Sequence, residues 1–230
     1  MKLLRFTFAA LTPIFVLSQS CPCGYKDSSG NVWREAVIST FTDAGGALAA
    51  VNANWMISTD TNPQPSPATA NIEYTAANVM QHNDALGLKV SAVGGNVKCA
   101  QIYTKRSDIQ YGSFRMRSQV PSVPGVVFGF FTYISNTQEQ DIEFLSADPD
   151  YYQHVYYTNQ PGGTAGAALD ITLPGADFTT FGNHRIDWLP SKSIYSYDGS
   201  GLTSTKTITV QVPTAPSRFI LNTWTNGDPY

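Results

Sequence analysis

The sequence predicts an all-β protein, and two features support this prediction. Short runs rich in β-branched and aromatic residues recur along the chain, separated by Gly, Pro, Asn, Asp or Ser. No window of 12 residues has a convincing 3.6-residue apolar period, so no amphipathic helix is predicted. The runs predicted to form strands are residues 32–41, 86–93, 113–120, 126–134, 153–158, 184–189, 194–197, 207–212 and 218–222.

So many strands in one domain must either close a barrel or stack as two sheets, because a single open sheet would leave an apolar face in water. We predict a two-sheet β-sandwich of the jelly-roll type. Asp198-Gly199, between two of the runs, indicates a β-hairpin. The Pro-rich residues 61–70 are predicted to form a long surface loop, because strand-like sequence flanks this short segment on both sides.

The N-terminal segment resembles a secretory signal. Lys2 and Arg5 form a basic start, an apolar stretch follows, and Ser18 and Ser20 suit a cleavage site for small residues. We therefore predict that residues 1–20 are a signal peptide and that residues 21–230 form one domain. No stretch approaches the ~20 apolar residues of a spanning helix. The sequence predicts a secreted protein, extracellular or in a cell wall, without a membrane span.

The charge pattern excludes nucleic acid as a partner. The formal net charge is −3 and no basic cluster occurs, so the phosphate-neutralising surface that nucleic acids require is missing. An uncharged polysaccharide is a better match, and we expect a monomer. We predict no cofactor.

The three cysteines allow at most one intramolecular disulfide. Cys21 and Cys23 are separated by a single residue, so a bridge between them would be strained, and Cys99 paired with one of them is favoured. The sequence does not indicate which of the two pairs with Cys99. Too few Cys and His residues lie nearby for a zinc site.

Three acidic residues recur at every second position in one segment, at Glu139, Asp141 and Glu143. On a strand these side chains project from one face. Ile142 and Phe144 alternate with the acids, so they project from the other face of the strand, and their apolar side chains are suited to a core. The acids therefore line the outer face of a sheet. A solvated acidic face and a calcium site are two further interpretations, although calcium ligands usually come from a loop that wraps the ion.

The repulsion between three like charges on one strand favours a functional interpretation, because it raises the pKa of at least one carboxyl. Glycoside hydrolysis with retention needs one ionised and one protonated carboxyl about 5–5.5 Å apart. The Cα atoms of Glu139 and Glu143 are ~13 Å apart at ~3.3 Å per residue, so both side chains must lean together. Asp141 could then hydrogen-bond one of them and tune its ionisation.

The run Glu139-Gln140-Asp141-Ile142-Glu143-Phe144 closely resembles the Glu-Ile-Asp-Ile-Glu-Phe signature of glycoside hydrolase family 16, which includes laminarinases and lichenases. The resemblance extends over about residues 24–230 and is closest to secreted fungal members. Further segments that match in family order are Ala100-Gln101-Ile102, Tyr111-Gly112-Ser113-Phe114-Arg115, Val123-Pro124-Gly125, Phe130-Phe131-Thr132-Tyr133, Tyr156-Tyr157-Thr158-Asn159, His184-Arg185-Ile186-Asp187-Trp188, Tyr197-Asp198-Gly199 and Leu221-Asn222-Thr223-Trp224.

This resemblance implies a concanavalin A-like jelly roll that hydrolyses β-1,3- or mixed β-1,3/1,4-glucan with retention. It assigns Glu139 as nucleophile, Asp141 as its assistant and Glu143 as acid/base, with no metal. It also implies a substrate-binding cleft. The residues at family cleft positions are Phe131, Tyr157, Asn222 and Trp224.

The residues alone leave alternatives for these cleft positions. Phe131 belongs to an apolar strand and suits the core equally well, and Tyr157 suits either location. Trp224 is followed by a polar run, which favours a position near a rim. We interpret His82, His154 and His184 as structural or surface residues, because they are scattered without a partner pattern.

The sequence departs from the family pattern in several places. Gln140 replaces an apolar residue on the core-facing parity and needs a hydrogen-bonding partner there. Gln138 stands where lichenases often have a cleft Trp, and Gln101 stands where many members have Glu. The sequence ends at Asp228-Pro229-Tyr230, where fungal relatives continue through another strand or two. A missing strand would expose unpaired edge groups, and we expect low stability and weak hydrolysis in that case.

Two other functions stay open at this point. A cell-wall transglycosylase would use the same three acids and transfer the glycosyl group to a sugar. A carbohydrate-binding lectin would use the same sandwich without cleavage, since a fold does not determine function. The linkage specificity is also left open by the sequence.

Overall fold

The computed structural model describes residues 24–42, 46–66, 68–93 and 96–227. The predicted signal peptide, Cys21, Cys23 and residues 228–230 lie outside these ranges. The predicted disulfide therefore lies outside the described residues as well, although Cys99 is described and is buried. The chain divides into two compact units, residues 1–37 and 38–230.

The described part of the first unit is a small hairpin formed by strands β1 (Tyr25–Lys26) and β2 (Val32–Trp33). The Asp27 carboxylate organises its turn. It accepts hydrogen bonds from the backbone N–H groups of Ser29 and Asn31, and from the indole N–H of Trp33 at 3.0 Å. Of the strand predicted over residues 32–41, only Val32–Trp33 forms a strand.

The described residues of the second unit form mainly strands, with one short α-helix, α1 (Gly46–Asn54), and a 3₁₀ turn at Ala76–Asn78. None of the helices in the described ranges is long and apolar enough to cross a bilayer. The strands are β3 (Trp55–Ile57), β4 (Thr61–Asn62), β5 (Ile72–Tyr74), β6 (Val79–His82), β7 (Ala85–Leu88), β8 (Ser91–Val93), β9 (Asn96–Thr104), β10 (Gly112–Ser118), β11 (Val127–Ser135), β12 (Gln138–Leu145), β13 (His154–Asn159), β14 (Ala168–Thr172), β15 (Gly182–Leu189), β16 (Lys192–Gly199), β17 (Leu202–Ile208) and β18 (Arg218–Trp224).

Two stacked sheets form the architecture, and the predicted β-sandwich is confirmed. The larger sheet has the order β14-β13-β12-β11-β18-β9-β5-β4, with β3 and β8 also paired to β9. The smaller sheet has the order β10-β15-β16-β17, and β6 and β7 form a separate hairpin. Strand β12 therefore lies inside the larger sheet, hydrogen-bonded on both sides by β11 and β13.

The hydrophobic core lies between these two sheets. Ile142 and Phe144 of β12 belong to the same buried cluster as Ile186 of β15 and Tyr195 of β16. Burial of such side chains is the main driving force for stacking the sheets, at about 1.5–3 kcal/mol for each large apolar side chain. The apolar face of β12 is thus turned towards the smaller sheet, and the face that carries the acids is turned away from it.

Several local predictions differ from the structure. Helix α1 was not predicted, because its Ala-rich sequence buries only Ala47 and Val51, and one i,i+4 pair gives no apolar stripe. The strand predicted over residues 207–212 is instead β17, which ends at Ile208. The predicted hairpin joins β16 and β17, but its turn residues are Ser200 and Gly201, whose φ angles of 52° and 75° suit a tight hairpin turn.

Candidate active site

Three carboxyl groups occupy one face of β12, as the alternation predicts. Glu139, Asp141 and Glu143 lie on the face turned away from the core, which we call the acid face of the larger sheet. The intervening Gln140 is 0 % exposed and Ile142 is also buried, which confirms the parity of the strand. Asp141 is only 3 % exposed, and both glutamates are partly buried.

The neighbouring strands place specific residues beside each acid. In the antiparallel register, Glu139 lies opposite Tyr133, Asp141 opposite Phe131, and Glu143 opposite Gly129, all on β11. On the other side, β13 places Thr158 opposite Asp141 and Tyr156 opposite Glu143. Directly opposed residues have Cβ atoms about 4.5–5.5 Å apart, so these side chains surround the three acids.

Burial and mutual repulsion raise the pKa of all three carboxyls. Burial raises the pKa of Glu139 to about 7, with a further increase from the charge of Glu143, while a hydrogen bond with Asp141 opposes the shift. Burial also raises the pKa of Asp141 well above its usual range, followed by the charges of Glu139 and Glu143. Burial alone raises the pKa of Glu143. All three carboxyls therefore stay protonated to a higher pH than ordinary ones, and the ionisation of Glu139 falls near neutral pH, which suits acid/base catalysis.

A side-chain amide reaches the central acid from the end of β13. Gln160 Nε2 donates a hydrogen bond of 3.0 Å to Asp141 Oδ2. This donor stabilises the ionised form and partly opposes the rise in the Asp141 pKa. Gln160 was not predicted from the sequence, because nothing in the sequence indicates which residue beyond a strand end folds back onto its neighbour.

Asn222 of β18, which the resemblance assigns to the cleft, lies on the acid face, one strand beyond Gly129. Its Nδ2 donates to Tyr74 Oη and to Gln101 Oε1, each at 3.3 Å, so Gln101 helps to orient this amide. Asn222 is 5 % exposed, and its Oδ1 has no hydrogen-bond partner among the described residues. A buried acceptor without a partner is suited to receive a hydroxyl donor of a ligand.

Gly129 makes room for that amide. A Cβ atom at this position would come within 2.7 Å of Asn222 Oδ1 and within 3.3 Å of the Phe131 ring. Gly129 also lies opposite Glu143, so the Asn222 amide and the Phe131 ring occupy the space on the acid face that a side chain at this position would fill. No sequence signal distinguishes this glycine from an ordinary strand glycine.

Two of the predicted aromatic cleft residues lie on the acid face. Phe131 is partly buried beside Asp141. Trp224 has the same parity as Asn222 and packs at the edge of a small apolar cluster formed by Ile72, Tyr74 and Cys99. Aromatic faces in these positions can stack on the apolar faces of sugar rings.

Tyr157 does not lie on the acid face, and its predicted role in substrate binding does not fit its position. Its partner in the register is Ile142, it is 1 % exposed, and its ring stacks on that of Tyr195 with centroids 4.9 Å apart. The adjacent Tyr156 faces the acids instead, because consecutive residues on a strand point to opposite sides.

Tyr156 is held in place by two contacts. Its hydroxyl donates to Asp148 at 2.9 Å, and its ring stacks on His154 with centroids 4.8 Å apart. His154 is itself bridged to Asp150 and Asp170, and the hydrogen bonds to these two acids raise its pKa. In the part of the chain that the structure describes, no group of three or more His, Cys, Asp or Glu residues is arranged to hold a metal ion.

The two remaining glutamines of this strand face away from the acids. Gln138 Oε1 accepts hydrogen bonds from the backbone N–H groups of Thr214 and Ala215 at 2.7 and 2.9 Å, so it anchors a loop. The amide of Gln140 is fully buried, and neither of its polar atoms has a partner among the described residues. The partner that the sequence required for Gln140 is therefore missing from this part of the chain.

The fold and the site together define a class: a two-sheet β-sandwich with neighbouring carboxyls on an aromatic-lined outer face, an arrangement suited to cleaving glycosidic bonds. Residues 67–230 match the model of the Glycosyl hydrolases family 16. The chain therefore belongs to this family.

Individual relatives agree with this assignment. A β-glucanase of Paenibacillus polymyxa is 31% identical over 163 residues, which are 68% of this chain and 66% of the relative. Other bacterial β-glucanases align over 48% of their length, so the chain spans about half to two thirds of the curated relatives it matches.

Solved structures show the same fold. A β-glucanase from Bacillus licheniformis superposes with a TM-score of 0.60 at 23% identity, covering 75% of this chain and 79% of that protein. A Crh5 transglycosylase superposes with a TM-score of 0.54 at 22% identity, covering 77% of this chain and 71% of that protein. These two likenesses concern the fold alone.

Proposed function

We propose that this protein is a secreted retaining glycoside hydrolase that cleaves β-1,3- or mixed β-1,3/1,4-glucan. The observation that supports this proposal most directly is the arrangement of β12, which presents three partly or fully buried carboxyls on one face. The β-glucanase names of relatives that are 31% and 33% identical to this chain support glucan as the substrate.

In the first step, Glu143 donates its proton to the glycosidic oxygen while the Glu139 carboxylate attacks the anomeric carbon. The bond to the leaving sugar breaks, and an ester forms between the glycosyl group and Glu139. The raised pKa of Glu143 suits the acid role, because its carboxyl stays protonated at a pH where an ordinary glutamate is ionised.

In the second step, Glu143 removes a proton from water, and the resulting nucleophile displaces Glu139 from the anomeric carbon. Two inversions give net retention. Asp141 assists by hydrogen-bonding Glu139, so that one proton is shared between the two carboxyls while negative charge builds and disperses on Glu139.

The acid face also provides binding groups for a neutral polysaccharide. Phe131 and Trp224 offer apolar surface for sugar rings, and Asn222 Oδ1 offers a buried acceptor for a hydroxyl. Binding energy from such groups orients the anomeric carbon between the two glutamates.

The test is hydrolysis of laminarin, lichenan and xyloglucan by the wild-type protein and by Glu139→Gln and Glu143→Gln. Each substitution should lower kcat/KM by at least about a thousand-fold, because each removes one chemical role. Glu73→Gln is the matched control: it removes a partly exposed carboxylate that pairs with Lys98, away from β12, and should retain full activity.

Chemical rescue distinguishes the two roles. With an activated aryl β-glucoside and azide, Glu139→Ala should yield the α-glycosyl azide, since azide then attacks in a single inversion. Glu143→Ala should yield the β-glycosyl azide, since azide then resolves the ester on Glu139. The same anomer from both variants would contradict the assignment.

A second candidate is a glucan transglycosylase with the same three acids. The Crh-like protein CRH11 of Candida albicans is 26% identical over 207 residues, and the Crh5 protein of the superposed structure is named a transglycosylase. Here a sugar hydroxyl, and not water, resolves the ester. Oligosaccharides longer than the supplied substrate would identify this activity. Glucan binding without cleavage, unchanged in Glu139→Ala, would instead indicate a lectin.

A further inference from the structure

Gln160 hydrogen-bonds to two of the three acids, once through its backbone and once through its side chain. Its backbone N–H donates to the Glu139 carbonyl at 3.0 Å, which extends the pairing of β12 and β13 by one residue. Its side chain thereby lies beside Asp141, where Nε2 donates to Oδ2 at 3.0 Å. Among the described residues outside the three acids, Gln160 is the one whose side chain hydrogen-bonds to the Asp141 carboxyl.

The orientation of this amide is fixed from its other end. Gln160 Oε1 accepts a hydrogen bond of 2.8 Å from the backbone N–H of Gly162. A backbone N–H can pair only with the oxygen of a side-chain amide, so the nitrogen must face Asp141. An amide nitrogen also has no titratable proton in the working pH range, so Gln160 is a donor at every pH.

The turn after β13 is built to bring the amide to this position. A Cβ atom at Gly162 would come within 2.8 Å of Thr158 Cγ2, so the absence of a side chain lets the turn close on Thr158. Thr158 in turn lies opposite Asp141 in the register. The backbone of this turn, and not a flexible side chain, therefore determines where the Gln160 amide lies.

The charged and titratable groups around Asp141 are few. Glu139 and Glu143 lie on its own strand, and Tyr195 of β16 interacts with it from the core side. The residues opposite it on β11 and β13 are Phe131 and Thr158, which carry no charge. Gln160 thus provides the neutral donor that offsets the two neighbouring negative charges.

We propose that Gln160 is a positioning residue of the active site, whose locked amide holds one oxygen of Asp141 and leaves the other for the proton shared with Glu139. This inference rests on the proposed hydrolase function. In this role Gln160 changes the pH at which Glu139 ionises. It acts through Asp141 and does not contact the substrate. Loss of the amide makes an ionised Asp141 less favourable, so the protons shared by this pair are released at higher pH.

The experiment is a titration of the side-chain carboxyl carbons by ¹³C NMR in wild-type protein and in Gln160→Met, which keeps the side-chain length and removes the donor. The apparent pKa values of the Glu139 and Asp141 pair should rise by about one unit in total, the size expected for a lost charge-assisted hydrogen bond. Gln160→Glu is the second variant: it retains the acceptor for Gly162, places a carboxylate at Asp141 and should shift the pair in the same direction.

Gln211→Met is the matched control. Gln211 Nε2 donates to Thr164 Oγ1 at 3.2 Å and so contacts the same turn region without reaching the acids. The carboxyl titration of this variant should equal that of the wild type. If the turn were merely structural, all of these variants would change thermal stability and none would change the carboxyl pKa values.

In activity assays, Gln160→Met should lower kcat on the order of ten-fold with an unchanged KM, and the acidic limb of its pH profile should move to higher pH. Unchanged pair pKa values in both Gln160 variants, or equal shifts in Gln211→Met, would overturn the proposal. Because the NMR titration needs no turnover, it decides the role of Gln160 even if the wild-type protein fails to cleave glucan.

Discussion

The two faces of β12 bury polar groups with opposite consequences. On the acid face, burial raises the pKa of Glu139 to about 7 and leaves it hydrogen-bonded to Asp141. On the core face, burial lowers the pKa of His184, which packs against Phe144, to about 3. The histidine therefore stays neutral above about pH 3, whereas Glu139 titrates near neutral pH, where proton transfer occurs.

This difference shows that burial alone does not make a group functional. His184 has no hydrogen-bond partner for either ring nitrogen among the described residues, and aromatic rings surround it. In contrast, Asp141 forms hydrogen bonds with Glu139 and with the amide of Gln160. A shared proton on an accessible face is available for chemistry, whereas an isolated neutral ring in the core serves packing.

The largest expected contrast concerns two adjacent residues, Phe144 and Glu143. Phe144→Ala should lower the free energy of unfolding by about 3–5 kcal/mol, because this ring is 2 % exposed, stacks on Phe128 and packs edge-on against Phe178. Glu143→Gln should not lower it at neutral pH, because a neutral amide replaces a carboxyl whose charge is disfavoured by burial. Urea unfolding of both variants measures the difference.

Phe181→Ala is the control for that comparison. Phe181 is exposed and contacts the guanidinium of Arg117 at 4.6 Å, a pair worth about 0.5–1 kcal/mol. A loss as small as this in Phe144→Ala would contradict the position of Phe144 in the core.

A second contrast is the pH dependence of stability. The pKa of Glu139 is higher in the folded protein than in the unfolded chain. Between these two pKa values the folded protein binds more protons than the unfolded chain, so it loses stability as the pH rises through about 7. Glu139→Gln removes this loss and should be more stable than wild type by about 2–3 kcal/mol at pH 8. The advantage should vanish near pH 4, where the glutamate is protonated in both states.

His184 does not disturb this measurement. Its folded-state pKa lies below the unfolded value, so its contribution to stability is present above pH ~6.5 and is lost as pH falls towards 3. The effect is common to wild type and Glu139→Gln and cancels in their difference. An equal stability difference at pH 4 and pH 8, from urea unfolding, would contradict the burial of Glu139.

The smallest contrast concerns the neighbouring tyrosines. Tyr156→Phe should lower the free energy of unfolding by about 1 kcal/mol, because it loses the hydrogen bond to Asp148. Tyr157→Phe should leave it unchanged or raise it by about 1 kcal/mol, because the Tyr157 hydroxyl is buried and has no partner among the described residues. Thermal unfolding of the two variants measures this difference. If Tyr157→Phe were the less stable variant, the assignment of Tyr156 to the acid face and Tyr157 to the core would be contradicted.

The sequence predicted the acid face because alternation on a strand is a strictly local property. Three acids at positions of one parity, with Ile142 and Phe144 on the other, determine both faces without knowledge of the neighbouring strands. Strands β10 and β11 begin and end within two residues of the runs predicted over residues 113–120 and 126–134, for the same reason. The sandwich follows from the number of such strands.

The features that depend on pairing between strands could not be predicted. Tyr156 and Tyr157 are chemically identical neighbours, and only the register of β13 against β12 decides which one meets Glu143. The apolar residues Val37 and Ile38 suggested a strand, but both are exposed and no strand forms there. Gly129 and Gln160 likewise acquire their roles from residues distant in the sequence, Asn222 and Asp141.

The location of all three acids on one hydrogen-bonded strand has a consequence for how such a protein can diversify. The spacing of the carboxyls is set by the pleat of β12, which neighbours hold on both sides, and no loop contributes to it. The chemistry is thereby insulated from insertions and substitutions in the loops around the rim. Natural selection or a protein engineer can therefore change the loops around the acid face while the spacing of the three carboxyls is inherited intact.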